Sequence, residues 1–263
     1  MSKREILKEI VIKKKEKIIL AKQNISEEDL KVKIQSLPPA RPFIEAINKP
    51  RQISLIAEIK KQSPSGGIIR QNFDPLEIAK IYQDCGVQAI SVLTEEDYFA
   101  GNISHINEVK NLVNCPILRK DFILEPYQVY ESRFFGADAI LLIADLLSKE
   151  KLSQLLEIAN NLELDCLVEV HTEKELKKVL GLKNATLIGT NNRDLHTLEL
   201  DFKTTEKLFP LISKDKVVVV ESGIKSYQDV LFLKILGVSA ALIGEAFMQA
   251  EDIKKKIEEI MGW

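Results

Sequence analysis

Glu58 and Lys60 close an apolar run that begins at Ile53, two side chains of the kinds that accept and donate protons. If residues 53 to 60 form a strand, the period of two puts Ile56, Glu58 and Lys60 on one face and Leu55, Ala57 and Ile59 on the other. A carboxylate and an ammonium would then share a face. For one strand in isolation, fraying into a solvated loop explains the pattern equally well. The pattern recurs, however, with Lys120 in Ile117-Leu118-Arg119-Lys120-Asp121, Glu169 in Leu167-Val168-Glu169-Val170, Asn191 and Arg193 in Ile188-Gly189-Thr190-Asn191-Asn192-Arg193, and Glu221-Ser222-Gly223 after four valines.

Further apolar runs lie at 88 to 94, 137 to 143 and 239 to 244, which makes eight candidate strands. Between them, apolar residues recur at helical spacing over 75 to 85, 102 to 113, 126 to 135, 148 to 161, 172 to 181, 202 to 209, 226 to 236 and about 246 to 260. Asp74 before Pro75, Ser148 and Ser226 are helix-start signals. Strict alternation with strands apolar on both faces requires parallel pairing under helices. The expected fold is therefore α/β, a closed (β/α)8 TIM barrel, which leaves no sheet edge. A doubly wound open sheet is the alternative, but no Gly-x-Gly-x-x-Gly turn follows the first strand.

In such a barrel the catalytic groups gather on the rim formed by the carboxyl ends of the strands. Glu58, Lys60, Lys120, Glu169, Asn191, Arg193, Glu221 and Ser222 all fall there, so they are expected to converge. An ion-pair network could produce the same pattern. Two lysines and three carboxylates in one mouth would nevertheless carry a large desolvation cost unless they served chemistry. Gly223 follows the seventh strand and Gly244 the eighth, where many barrels hold a phosphate against backbone N–H groups.

The 263-residue chain exceeds the repeating part, which starts near residue 51. Residues 1–50 are read as an N-terminal helical extension packing on the barrel, and 51–263 as the catalytic barrel. Leu7, Ile10, Val11 and Ile18 form a partial apolar stripe in that extension. The run Lys13-Lys14-Lys15-Glu16-Lys17 is read as a solvated helix face. The net charge of -2 and the lack of a basic patch interleaved with aromatics argue against nucleic-acid binding. No apolar stretch reaches the ~18 residues of a membrane span, and charges interrupt any signal-peptide pattern. Cys85, Cys115 and Cys166 are odd in number and lack metal-ligand spacing, which suits reduced, mostly buried thiols in a cytoplasmic protein. His171 sits two after Glu169 and could project with it, but it is read as a residue at the start of the following helix rather than a metal ligand. Nothing in the sequence assigns an oligomeric state.

Glu58-Ile59-Lys60-Lys61-Gln62-Ser63-Pro64-Ser65 resembles the first-strand signature of the indole-3-glycerol-phosphate synthase family of tryptophan biosynthesis. The likeness extends through Ser91-Val92-Leu93-Thr94-Glu95, Tyr98-Phe99-Ala100-Gly101, Leu118-Arg119-Lys120-Asp121-Phe122, Leu167-Val168-Glu169-Val170, Asn191-Asn192-Arg193-Asp194-Leu195, Glu221-Ser222-Gly223-Ile224 and Leu242-Ile243-Gly244-Glu245. It spans essentially the whole chain. The resemblance implies ring closure, decarboxylation and dehydration of 1-(o-carboxyphenylamino)-1-deoxyribulose 5-phosphate to indole-3-glycerol phosphate, without cofactor or metal.

By the same resemblance Lys120 is the general acid of ring closure. Lys60 or Lys120 and Glu169 serve dehydration, with Glu58 and Asn191 orienting them. The anthranilate ring is expected against Pro64, Phe122, Leu141 and Leu195, with Ser63, Arg193, Glu221 and Ser222 also binding substrate. Gly223, Gly244, the amide of Glu245 and Lys60 are expected to hold the phosphate. Family members often carry serine where this chain has Glu245. The Lys61–Gln71 loop, rich in Ser and Gly, is a candidate lid, and the extension is expected to cover part of the mouth. Three other readings stay open: a sister phosphate-binding barrel such as phosphoribosylanthranilate isomerase, a Schiff-base aldolase, and a non-catalytic phosphate-ligand-binding barrel.

Overall fold

The apolar runs pair side by side, all parallel, into a sheet that closes on itself. The computed structural model describes residues 3–263, with side chains from residue 6. The barrel strands are β1 (Ser54–Ile59), β4 (Ala89–Leu93), β5 (Ile117–Lys120), β6 (Ala139–Ile143), β7 (Asp165–Val170), β8 (Leu187–Asn191), β9 (Val217–Glu221) and β10 (Ala240–Ile243); β2 (Gln62–Ser63) and β3 (Gly67–Ile68) lie outside the barrel. Neighbours follow chain order round the barrel, and β1 closes it by pairing with both β4 and β10. Alternation sorts their side chains. Ile56, Leu118, Leu167, Leu187, Val219 and Leu242 pack together inside the barrel. Leu55, Ala57 and Ile59 face outward and pack against the surrounding helices. The fold is the expected (β/α)8 barrel.

Local signals start the helices where the sequence marks them. Asp74 accepts from the N–H groups of Leu76 (2.8 Å) and Glu77 (3.1 Å) ahead of α4 (Pro75–Asp84). Ser148 caps α7 (Lys149–Asn161), and Thr172 caps α8 (Glu173–Leu180). Ser226 and Asp229 form a capping box on α10 (Tyr227–Leu236). The other barrel helices are α5 (Ser104–Leu112), α6 (Pro126–Phe134) and α9 (Lys203–Leu208).

Three local expectations gain detail or are corrected in the structure. The last helix is two, α11 (Glu245–Met248) and α12 (Ile253–Met261). Asp252 caps a fresh start by accepting from Lys255 N–H, while the Arg70 guanidinium draws the Ala250 carbonyl aside at 2.9 Å. The Ser- and Gly-rich stretch after β1 carries a short antiparallel hairpin of β2 and β3. The lysine run in α1 (Lys3–Asn24) is a solvated face only in part, at the exposed Lys15 and Glu16. Lys14 is buried and pairs with Asp121 at 2.7 Å, Lys17 pairs with Glu96 and Asp97, and Lys13 lies over the Tyr98 ring.

These contacts set α1 across the carboxyl ends of the strands, where Leu7 and Ile10 join the cluster that fills the barrel. Helix α2 (Glu27–Ile34) packs beside α6, with Leu30 and Ile18 against Tyr127. Helix α3 (Phe43–Ile47) reaches the opposite end. There Phe43 and Ile47 are fully buried, and the N–H groups of Arg41 and Ile44 donate to Asp138 (2.6 Å) and Asp165 (2.9 Å), which precede β6 and begin β7. All three thiols are free, with Cys166 buried and Cys85 and Cys115 half-buried. Among the described residues no helix is long and apolar enough to cross a membrane.

Candidate active site

Strand register brings the rim residues into one layer. Glu58 lies beside Ser91, Glu169 beside Gly189, and Asn191 beside Glu221. Lys120 stands in the middle. Its Nζ donates to Glu221 Oε2 at 2.6 Å and lies 3.8 Å from both Glu58 Oε2 and Glu169 Oε2. Lys60 Nζ donates to the other oxygen of Glu58 at 2.6 Å. The three carboxylates are at most 4 % exposed, so these charges interact with little screening by water.

Burial disfavours a charged Lys120, but Glu221, Glu58 and Glu169 outweigh it and hold its pKa above the usual lysine range. Burial likewise opposes ionisation of Glu58, yet Lys60 and Lys120 pull its pKa down. For Glu169, burial is outweighed by His171 and Lys120, and the carboxyl falls below its ordinary range. Glu221 goes the other way. Burial, with the negative charge of Glu169 and Glu58, raises it despite its bond to Lys120. If one carboxylate of this group takes a proton, it is Glu221.

Above this layer a cavity of about 150 Å³ opens at the strand ends. Glu58, Lys60, Ser63, Pro64, Lys120, Phe122, Leu141, Glu169, Asn191, Arg193, Leu195, Ser222, Gly223, Gly244 and Glu245 all line it. Glu221 does not. It sits behind Lys120 and supports the ammonium rather than the wall. Asn191 is turned partly to local structure, its Oδ1 accepting the Arg193 N–H at 2.9 Å.

The end of the cavity where the sequence leads one to expect the phosphate has its own arrangement. Arg193 Nη2 pairs with Glu245 Oε2 at 3.1 Å, and Nη1 reaches the Ser65 hydroxyl at 3.3 Å. The Glu245 carboxylate is thus engaged by Arg193, leaving its backbone amide as the group the sequence reading assigned to phosphate. Gly223 has a φ of +87°, in the left-handed region, and an added Cβ there would strike the Phe202 ring at 2.6 Å. At Gly244 an added Cβ would meet Glu58 Oε1 at 2.6 Å. Neighbouring side chains close both positions to larger residues.

Two sets of residues carried a sequence signal but were not named as site residues. Ile6, Leu7 and Ile10 of α1 form part of the cavity wall, and the three-residue step from Leu7 to Ile10 was the available signal. His171 lies 3.3 Å from Glu169, on the face their two-residue spacing allows.

The chain matches the family model described as indole-3-glycerol phosphate synthase over residues 7–260. It is 50% identical over 256 residues to the indole-3-glycerol phosphate synthase of Acetivibrio thermocellus, covering 97% of this chain and 98% of the relative. Identity to the corresponding protein of Desulforamulus reducens is 48% over 259 residues, 97% of each chain. Among solved structures, 3-hexulose-6-phosphate synthase from Salmonella typhimurium superposes with a TM-score of 0.59 at 15% identity, over 80% of this chain and 97% of that one. At that identity the likeness speaks for the barrel alone. The family match and the near full-length identities together place the chain in the indole-3-glycerol phosphate synthase family.

Proposed function

We propose that this chain is an indole-3-glycerol-phosphate synthase, with residues 51–263 as its catalytic barrel and residues 1–50 as an extension that closes it. It acts on a small phosphorylated substrate, 1-(o-carboxyphenylamino)-1-deoxyribulose 5-phosphate, in a cytoplasmic setting. The observation that carries this reading is Lys120, charged among three buried carboxylates at the floor of a cavity with apolar walls.

The residues divide the work by position. Pro64, Phe122, Leu141 and Leu195 offer apolar surface for the anthranilate ring, with Leu7 and Ile10 above it. Lys60 and the amides around Gly223, Gly244 and Glu245 take the phosphate, while Ser63, Arg193 and Ser222 contact the chain between. Holding both ends folds the ribulose so that its carbonyl meets the ring carbon that bears the carboxylate.

As that carbon attacks, a carbon–carbon bond forms and the carbonyl oxygen accepts a proton from Lys120. Loss of carbon dioxide returns the electron pair to the ring. The hydroxyl then leaves as water with a proton from Lys60 or Lys120, and Glu169 takes the remaining proton, completing the indole. Glu58 and Asn191 orient these groups, and Glu221 keeps Lys120 charged between steps. A Schiff-base aldolase would instead need a neutral lysine, which the surrounding carboxylates oppose. The direct experiment supplies the substrate to purified protein and follows indole absorbance and carbon dioxide release. Absence of both from folded protein would falsify the reading.

A further inference from the structure

Glu169 is held from two sides. Its Oε2 lies 3.8 Å from Lys120 Nζ, and its Oε1 lies 3.3 Å from His171 Nε2. His171 does not line the cavity, so it meets the reaction only through Glu169. Behind it, His171 Nδ1 lies 3.3 Å from Glu175 Oε2. That carboxylate is itself fixed, accepting from the His171 N–H at 2.8 Å and the Thr172 hydroxyl at 2.7 Å.

Starting α8 does not require this side chain. The cap uses the Thr172 hydroxyl and the backbone N–H of residue 171, which any residue but proline supplies. The imidazole is therefore an addition to the cap, and it is buried, with 8 % of its side chain exposed. Glu169 Oε1 and His171 Nε2 are both buried without a hydrogen-bond partner among the described residues, so what links them is their 3.3 Å charge contact. Burying two polar atoms face to face is costly unless their charges are complementary.

We propose that His171 is a positioning residue for the reaction of this site: clamped by Glu175, its ring holds one oxygen of Glu169 and leaves the other facing Lys120 and the substrate. The proposal rests on the synthase reading and deepens it.

The surrounding charges support this assignment. Glu58 pairs with Lys60, Glu221 pairs with Lys120 at 2.6 Å, and Glu169, 3.8 Å from Lys120, has a charged His171 as its nearer cation among the described residues. On its outer side the ring meets Glu175 of α8. Lys178 of the same helix is engaged by the carbonyls of Ala144 and Leu147, and Asp145 of the adjoining turn pairs with His196. Burial disfavours a charged ring, but Glu169 and Glu175 outweigh it and carry the His171 pKa up to about 10.

The sign of the effect follows. Removing the imidazolium raises the proton affinity of Glu169, so a higher pH is needed to keep it ionised as a base. In His171→Asn the acid limb of kcat/KM should move toward neutrality by about one to three pH units, with kcat falling more than KM rises. Glu175→Gln, which touches neither substrate nor Glu169, should move the limb in the same direction by less. A His171→Asn variant that is merely destabilised loses activity without shifting the limb, and that result overturns the proposal.

Imidazole nitrogen NMR of the intact wild-type protein tests the pair without turnover. His171 should stay protonated through pH 8, and Glu169→Gln should bring its titration down by about one unit or more. A ring that titrates at the ordinary histidine value, or that ignores Glu169→Gln, refutes the clamp whether or not the synthase assay succeeds. Wild-type protein that shows the clamp but forms no indole would instead remove the synthase reading.

Discussion

Lys120 illustrates how a residue's role depends on what surrounds it. A lysine ringed by Glu221, Glu58 and Glu169 is held in its protonated form, the state that the proposed general acid needs and that an imine-forming lysine must leave. Lys120→Ala should lower kcat by about a hundred- to ten-thousand-fold while KM changes little, as expected for a group that acts mainly in the transition state. Wild-type-like turnover would refute the assignment. Borohydride added during turnover should trap no adduct on Lys120 or Lys60, and a substrate-dependent mass increase on either would favour the Schiff-base alternative. Gly244→Ala tests how closely the proposed phosphate site and the proposed proton-transfer layer are joined. Its Cβ would crowd Glu58, so turnover should fall together with the ability of inorganic phosphate to compete with substrate. Weakened phosphate competition with unchanged kcat would show that the two are separate.

At the scale of elements, α1 is tied to the barrel by one buried charge pair. Lys14 meets Asp121, which also accepts from the Thr94 hydroxyl at 2.6 Å and the Arg119 guanidinium at 3.0 Å. Asp121 follows directly on Lys120, so the helix is anchored beside the proposed acid. Burial works against the Asp121 charge, but Lys14 and Arg119 hold its pKa well below the usual carboxylate range. A depressed carboxyl contributes stability that is fully present above its unfolded value, about 3.9, and is lost as pH falls through the folded value. Lys14→Ala should cost about 2 kcal/mol, less than the ~3–5 of a wholly stripped buried charge, because Arg119 and Thr94 remain. Acid unfolding should begin at a higher pH in the variant, and KM should rise as α1 loosens. Denaturant titration, an acid-unfolding series and steady-state kinetics check the three outcomes. A variant with parental stability would make the pair incidental.

For the whole molecule, the extension reaches both ends of the barrel with different consequences. Leu7 and Ile10 sit over the strand carboxyl ends, where barrels keep their chemistry, and Phe43 and Ile47 fill the opposite end, which serves stability. Phe43→Ala should therefore cost about 3–5 kcal/mol of unfolding free energy with little change in KM. Ile10→Ala should raise KM more than it lowers stability. Removing residues 1 to 40 takes away α1 and α2 but spares the plug at the base, so a folded barrel with weakened substrate binding is expected. Full activity with unchanged KM would reject the covering role, and complete unfolding would make the two lost helices structural.

The sequence by itself determined the barrel, because eight buried apolar strands alternating with capped helices have few other ways to satisfy parallel pairing. It also determined which residues meet at the rim, since the period of two and the polar strand ends act locally: Glu58, Lys60, Lys120, Glu169 and Asn191 all reach one cavity. Only the tertiary structure decided what depends on neighbours distant in sequence. Glu221 lies behind Lys120 instead of on the wall, Lys14 is buried against Asp121, and His171 meets Glu169 while Glu175 backs it. The single helix expected near the end is broken because Arg70, far away in sequence, engages the Ala250 carbonyl while Asp252 caps a new start. Periodicity records which face a side chain occupies. Whether its charge is paired, and how far its pKa moves, depends on which other strands and helices bring their own charges within a few ångströms.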